Sequence, residues 1–325
     1  MITSRFRLAF RIQRFEILSS ALLVAVVGIT ALIVRVRLDG VGAPVQCLTP
    51  WIFDYVGYDE ARCQPLQDAF LQIKWDEAGL VFKAMFVLPF VVGIVLGVGL
   101  VGREIEGGTA STVWALAGSR RRWLTGRLVP MLVFLLALLA FAAITSAILA
   151  QGAVPWQFGR PTFELVGQQG LGVVVRGFAA FGLALAIGAW SGRMLPVVML
   201  SALLALFLAV GGWLLLEQWV EVSAHQIAVP AWFNGDYDGG VFRGHWAWRL
   251  PDGRVLSGPG ADPASYAPAG VDRDAWVRDN VQTLATGVVS ADYPAWAATE
   301  AAVYGGIGLA FIAGTHGIVE RRRPY

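Results

Sequence analysis

Charge is what this 325-residue chain has least of: acidic and basic residues make up 15% of it, against 56% hydrophobic residues. Soluble domains carry roughly a quarter charged residues, so an ordinary soluble globule is excluded. Lysine is scarcer still, with Lys74 and Lys83 alone. Neither follows a glycine-rich loop, so the G-x-x-x-x-G-K-[ST] phosphate cradle is missing and the chain has no such route to ATP hydrolysis. The three histidines, His225, His245 and His316, lack H-E-x-x-H spacing and cysteine partners, so no zinc site is expected. No 20- to 50-residue period or low-complexity tract stands out, which leaves repeat architectures unsupported.

What fills the chain instead is a series of apolar blocks, each about the 20 residues that a helix needs to cross roughly 30 Å of hydrocarbon. Spans are expected near Ile17–Val34, Leu80–Val101, Leu128–Ala150, Leu171–Trp190, Leu195–Leu216 and Ala297–Val319. The third and fifth contain no ionisable residue. Lys83 and Arg176 lie near the outer ends of their blocks, from which long side chains reach water. Glu300 lies near the outer edge of the last block and His316 near its inner edge. With so few buried carboxylates or histidines expected, ion-coupled transport is disfavoured. An intramembrane enzyme is disfavoured too, for want of a clustered acid, base or nucleophile.

Short loops rich in arginine stay in the cytoplasm. With both termini inside, the cytoplasmic segments hold 13 arginines and four acids, a balance of +9, and the remainder carries −7, which closes on the overall +2. Arg35 and Arg37, just outside the first span, argue mildly against this orientation. Cys47 and Cys63 then share the first external loop, in a compartment where disulfides persist, and are expected to pair. The first apolar block is long enough to span and lacks a small-residue cleavage site, so it is expected to be retained.

Four regions result. Residues 1–16 place Arg7, Arg11 and Arg14 on one helical face, an interfacial helix on the inner leaflet or an ordinary positive flank. Residues 17–216 hold the first five spans and a cytoplasmic loop at 102–127. Between spans one and two, prolines and aromatic residues suggest short helices on the membrane surface. Residues 217–296 form an external cap with six of the 13 tryptophans, in which HWAWRL and RVLSG flank Pro251-Asp252-Gly253 as a hairpin. A tryptophan platform for a ligand is possible there, although a domain of this size needs its aromatics for packing. Residues 297–325 supply the last span and a basic tail. The expected fold is an all-α polytopic membrane protein of about six helices with a small mixed α/β external cap.

The most informative segment is VGREIEGGTASTVWALAGSRRRWLTGRLVP, residues 101–130. Arg103, Glu104 and Glu106 precede Gly107-Gly108-Thr109, where a glycine turn with a threonine cap can reverse the chain. An apolar stretch follows, then Ser119-Arg120-Arg121-Arg122. At these residues the sequence resembles the permease subunits of type-2 ATP-binding-cassette (ABC) exporters, in which acid-x-acid, Gly-Thr, an apolar helix and Ser-Arg follow the second span. It departs from that pattern in the extra glycine and in Ala117-Gly118, where a proline is common.

The resemblance implies a permease whose ATPase is a separate subunit carrying ATP and Mg. This loop would dock the ATPase, and a second permease copy would complete the pathway. Glu104 and Glu106 would hold the turn or meet basic groups of the ATPase, and Arg120–Arg122 would meet its acids or lipid phosphates. Gly93 and Gly97, at G-x-x-x-G spacing, would permit a close helix seam, weakly favouring a dimer contact. The implied setting is the cytoplasmic (inner) membrane, with the bilayer as a partner and no nucleic acid. The alternative is a membrane-anchored sensor or assembly factor whose cap binds an external ligand.

Overall fold

A computed structural model describes residues 13–48, 59–109, 112, 114, 119–155, 160–229, 240–258 and 261–321, and for 244 and 245 the backbone alone. Arg7 and Arg11 of the expected interfacial helix lie outside these residues, whereas Arg14 opens the first described helix. The helices are α1 (Arg14–Gly40), α2 (Val45–Leu48), α3 (Glu60–Gln72), α4 (Gly79–Glu106), α5 (Arg120–Ala153), α6 (Gly170–Ser191), α7 (Met194–Ser223), α8 (Arg273–Asn280) and α9 (Tyr293–Arg321). Among the described residues, six helical stretches are long and apolar enough to cross a membrane, and each contains one of the expected spans.

The bundle is arranged by side-chain size. Helix α6, GLGVVVRGFAAFGLALAIGAWS, is rich in Gly and Ala and lies at the centre, packed mainly against α4 and α9 and also touching α5 and α7. Small residues let helix backbones approach closely where lipid provides no hydrophobic drive for association. Helix α7 carries its large apolar residues outward, with Leu195, Met199, Leu206, Phe207 and Trp213 all exposed. The Gly93/Gly97 notch is used within the chain. A Cβ at Gly93 would run into the Gly177 carbonyl, and one at Gly97 would lie 2.7 Å from the Phe181 oxygen, both on α6. The spacing signalled a close seam correctly, but the partner is a neighbouring span.

On the cap side, α4 is not the start of its helical stretch. It continues outward through a π-helical turn, Ile73–Ala78, into α3, a continuous helical stretch of 47 residues from Glu60 to Glu106. Short surface helices were expected here; among the described residues of this loop, α2 is the one that stands apart from the long helix. A disulfide joins Cys47 of α2 to Cys63 of α3 and pins the two together. Arg35 pairs with Asp39 and Arg37 with Glu77, each at 2.5 Å. Their charge is therefore balanced locally.

The cap is built on a four-stranded antiparallel sheet of β1 (His225–Val229), β2 (Val241–Arg249), β3 (Val255–Ser257) and β4 (Gln282–Val288), in the order β1-β4-β2-β3. The expected hairpin is present: Arg249 pairs with Val255 and Trp248 with Leu256, while Gly253 turns the chain at φ +82°. Asp252 holds this turn, accepting from the Arg254 backbone N–H at 3.0 Å and its guanidinium at 2.6 Å. These contacts keep its carboxyl below the usual range. Helices extend further into the cap than the apolar blocks indicate, so Trp219 belongs to α7 and Trp296 to α9. Trp219 stacks on Phe163 at 6.0 Å between centroids and meets Trp296 edge-on at 5.7 Å. With Leu216, Val220, Val288 and Tyr293 they form a cluster that fastens the sheet to the bundle. Trp232 lies outside the described residues.

Candidate functional site

At the end of the bundle opposite the cap, the segment singled out in the sequence ties helix ends together. Helix α4 ends as its glycines dictate: Gly107 N–H donates to the Arg103 oxygen, Gly108 to Ile105 and Thr109 to Glu104 at 3.0–3.2 Å, with Gly108 at φ +68°. This left-handed turn, which glycine adopts without a steric penalty, closes the helix and satisfies its last carbonyls. Ser119 caps α5 by accepting from the Arg122 N–H at 3.2 Å, as a serine before a helix commonly does.

The charged side chains around this turn are largely spent within the chain. Arg103 reaches buried Glu16 of α1 at 2.6 Å. Glu104 pairs with Arg127 of α5. Glu106 accepts from the Met194 N–H at 3.0 Å, capping the N-terminus of α7, where a carboxylate also complements the helix dipole. Arg120 donates to the Val319 and Glu320 carbonyls at 3.2 and 2.9 Å, capping α9, and Arg121 pairs with the Glu320 carboxylate. Arg120 also lies over the buried Trp114 ring at 4.7 Å, and Trp114 meets Trp123 edge-on. Of the arginine run, Arg122 is exposed and its backbone serves the cap. Residues 115–118, where the family pattern departs, lie outside the described residues.

A second polar centre was not anticipated. Arg176 of α6 does not reach outward to water. It is 2% exposed and forks onto one oxygen of Glu300 on α9, itself 1% exposed, with both nitrogens at 2.7 Å. The guanidinium lies 5.1 Å from the Phe86 ring centre and 5.6 Å from that of Tyr304, whose hydroxyl donates to the Leu208 carbonyl of α7 at 2.6 Å. Glycines make the room. A Cβ at Gly172 would sit 2.9 Å from the Glu300 carboxylate, and one at Gly167 would overlap the guanidinium. The pair thus lies about two turns inside the cap-side ends of α6 and α9, against Phe86 of α4 and beside Tyr304, which reaches α7. Position near a span end suggested an outward reach, but the phase of α6 turns this residue toward α9. Charges of opposite sign at nearly equal depth, the seventh residue of α6 and the eighth of α9, were the available signal.

No group of three or more His, Cys, Asp or Glu that could hold a metal is found among the described residues. His225 is exposed at the start of edge strand β1, and the His245 side chain is not described. Lys83 is exposed on α4. Residues 17–221 match a family described as ABC-2 membrane transporter related. Comparison with curated proteins and with solved structures finds no match.

Proposed function

Because the chain belongs to the ABC-2 membrane transporter related family, and is therefore a multi-pass permease of the ABC type, we propose that it is the membrane half of an exporter driven by a separate ATPase. The ATPase docks on the segment from Arg103 to Arg122. Two copies of the permease enclose the pathway, and both termini face the cytoplasm at the inner membrane. ATP and Mg reside on the partner subunit, and this chain's part is to receive movement and pass it on.

The observation that carries this reading is the way one short segment holds the ends of α1, α4, α5, α7 and α9 through Glu16–Arg103, Glu104–Arg127, Glu106–Met194 and Arg120/Arg121–Glu320. A displacement applied there reaches five of the six membrane helices through ion pairs and caps. The alternative, a cap that acts as a sensor while the spans merely anchor it, fits less well. The sheet is fastened to three helical segments through Phe163, Leu216, Val220 and Trp296.

Co-expression with a candidate ATPase tests the proposal. Arg122→Glu is expected to reduce ATPase co-purification while leaving the isolated permease monodisperse, because Arg122 is exposed and its backbone cap is retained. Glu104→Ala with Glu106→Ala is expected to reduce substrate-stimulated ATP hydrolysis. If assembly and stimulated hydrolysis survived both sets of changes, the coupling role would be lost.

A further inference from the structure

Where α7 rises out of the bundle toward the sheet, a cavity of about 520 Å³ lies between its last turns, the Thr162–Glu164 turn and the start of β2. That volume falls within the roughly 300–1,000 Å³ typical of small-molecule sites. Depth along α7 locates it. The helix has 30 residues, about 45 Å at 1.5 Å per residue, against a hydrocarbon core of about 30 Å. With Arg193 at one interface, the stretch from Trp213 onward reaches the headgroup layer of the other. Trp213 and Trp219 suit that level, where indole rings concentrate.

The lining combines two chemistries. Phe163, Leu216, Val220 and Phe242 are apolar, and Trp213 lines the cavity while remaining 68% exposed. The cavity therefore opens toward the flank of α7 that carries exposed Val210 and Leu214. Arg243 and Glu217 bring opposite charges to the same lining, and the Arg243 guanidinium is held against α7 by donating to the Glu217 main-chain oxygen at 2.9 Å. Glu164 also lines the space, but Lys74 pairs with it at 3.4 Å.

We propose that this cavity binds a zwitterionic phospholipid of the cap-side leaflet. Arg243 meets the phosphate, Glu217 meets the ammonium, and an acyl chain leaves past Trp213 along α7. Guanidinium pairs with phosphate by a planar fork of charge-assisted hydrogen bonds. A carboxylate in the same lining favours a headgroup that carries an amine over one that is purely anionic. The inference rests on the membrane placement of α7 and stands apart from the ATPase reading.

The test uses the full chain in mild detergent, titrated with phosphatidylethanolamine or phosphatidylglycerol and read by native mass spectrometry. The wild type is expected to retain phosphatidylethanolamine in preference to phosphatidylglycerol. Arg243→Gln should lower phosphatidylethanolamine retention by about tenfold or more, the loss of a charged hydrogen-bond partner, whereas Arg243→Lys should lower it less. Glu217→Gln should erase the preference between the two lipids while phosphate binding persists. Equal retention of both lipids by the wild type would overturn the proposal, as would retention unchanged by both Arg243→Gln and Glu217→Gln. Should Arg243→Gln fail to fold, the lipid preference of Glu217→Gln decides. Lost selectivity with ATPase docking intact would leave the transporter reading standing.

Discussion

Arg176 is among the largest fully buried side chains of the described residues, and it carries a charge. Removing a cation from water is costly, and near hydrocarbon the cost persists unless the charge is paired. The pairing here is close but incomplete, since one guanidinium nitrogen and one Glu300 oxygen have no hydrogen-bond partner. Removing one member would strand the other. Glu300→Gln or Arg176→Met alone is therefore expected to destabilise the protein by about 3–5 kcal/mol, whereas the double change Arg176→Met with Glu300→Leu should recover most of the loss. Denaturation of detergent-solubilised protein measures both. Equal losses in the single and double variants would show that the pair acts otherwise than by mutual neutralisation. In the sequence the pair is only half visible: two charges sit at similar depth, but their meeting depends on the rotational phase of α6 and α9.

Among the elements, α6 organises the bundle because it is made of small residues. Its seam with α4 leaves no space at Gly97, where a Cβ would lie 2.7 Å from the Phe181 oxygen and 3.0 Å from Ala184 Cβ. Backbone cannot yield as a flexible side chain can, so Gly97→Leu is expected to force the helices apart at a cost of about 1–3 kcal/mol or more. A thermal-unfolding comparison with Gly314→Leu provides the contrast, since an added Cβ at Gly314 meets nothing within 4 Å. Similar losses at the two positions would contradict a tight α4–α6 seam. Periodicity and composition made the existence of each membrane helix legible. They did not assign partners, because a glycine pair advertises a close contact without naming what approaches it.

For the whole molecule, the separation of charge sets the proposed orientation. The basic end gathers Arg103, Arg120–Arg122, Arg127 and Arg193, while Arg35 and Arg37 at the cap end are each neutralised by an acid. Single cysteines placed at exposed Arg122 and exposed Asp274, in a Cys47→Ser/Cys63→Ser background, should label from opposite sides of the membrane in intact cells. Position 122 should require a permeant reagent and position 274 should not. Labelling of both from one side would refute the topology, and the reverse pattern would invert it along with the proposed ATPase docking face.

Span number, the cap hairpin, the disulfide partners and the glycine turn that ends α4 were all determined by the sequence alone. Each follows from local facts: block length against bilayer thickness, strand alternation around Pro-Asp-Gly, two cysteines in one loop, and a glycine turn among charges. The tertiary structure decided the remainder. It turned Arg176 inward to Glu300, engaged Gly93 and Gly97 within the chain, gave Glu106 the N-terminus of α7 to cap, and paired β1 with β4 across some fifty intervening residues. Those outcomes depend on which helix face meets which neighbour, and rotational phase is a property of the assembled bundle rather than of any one segment.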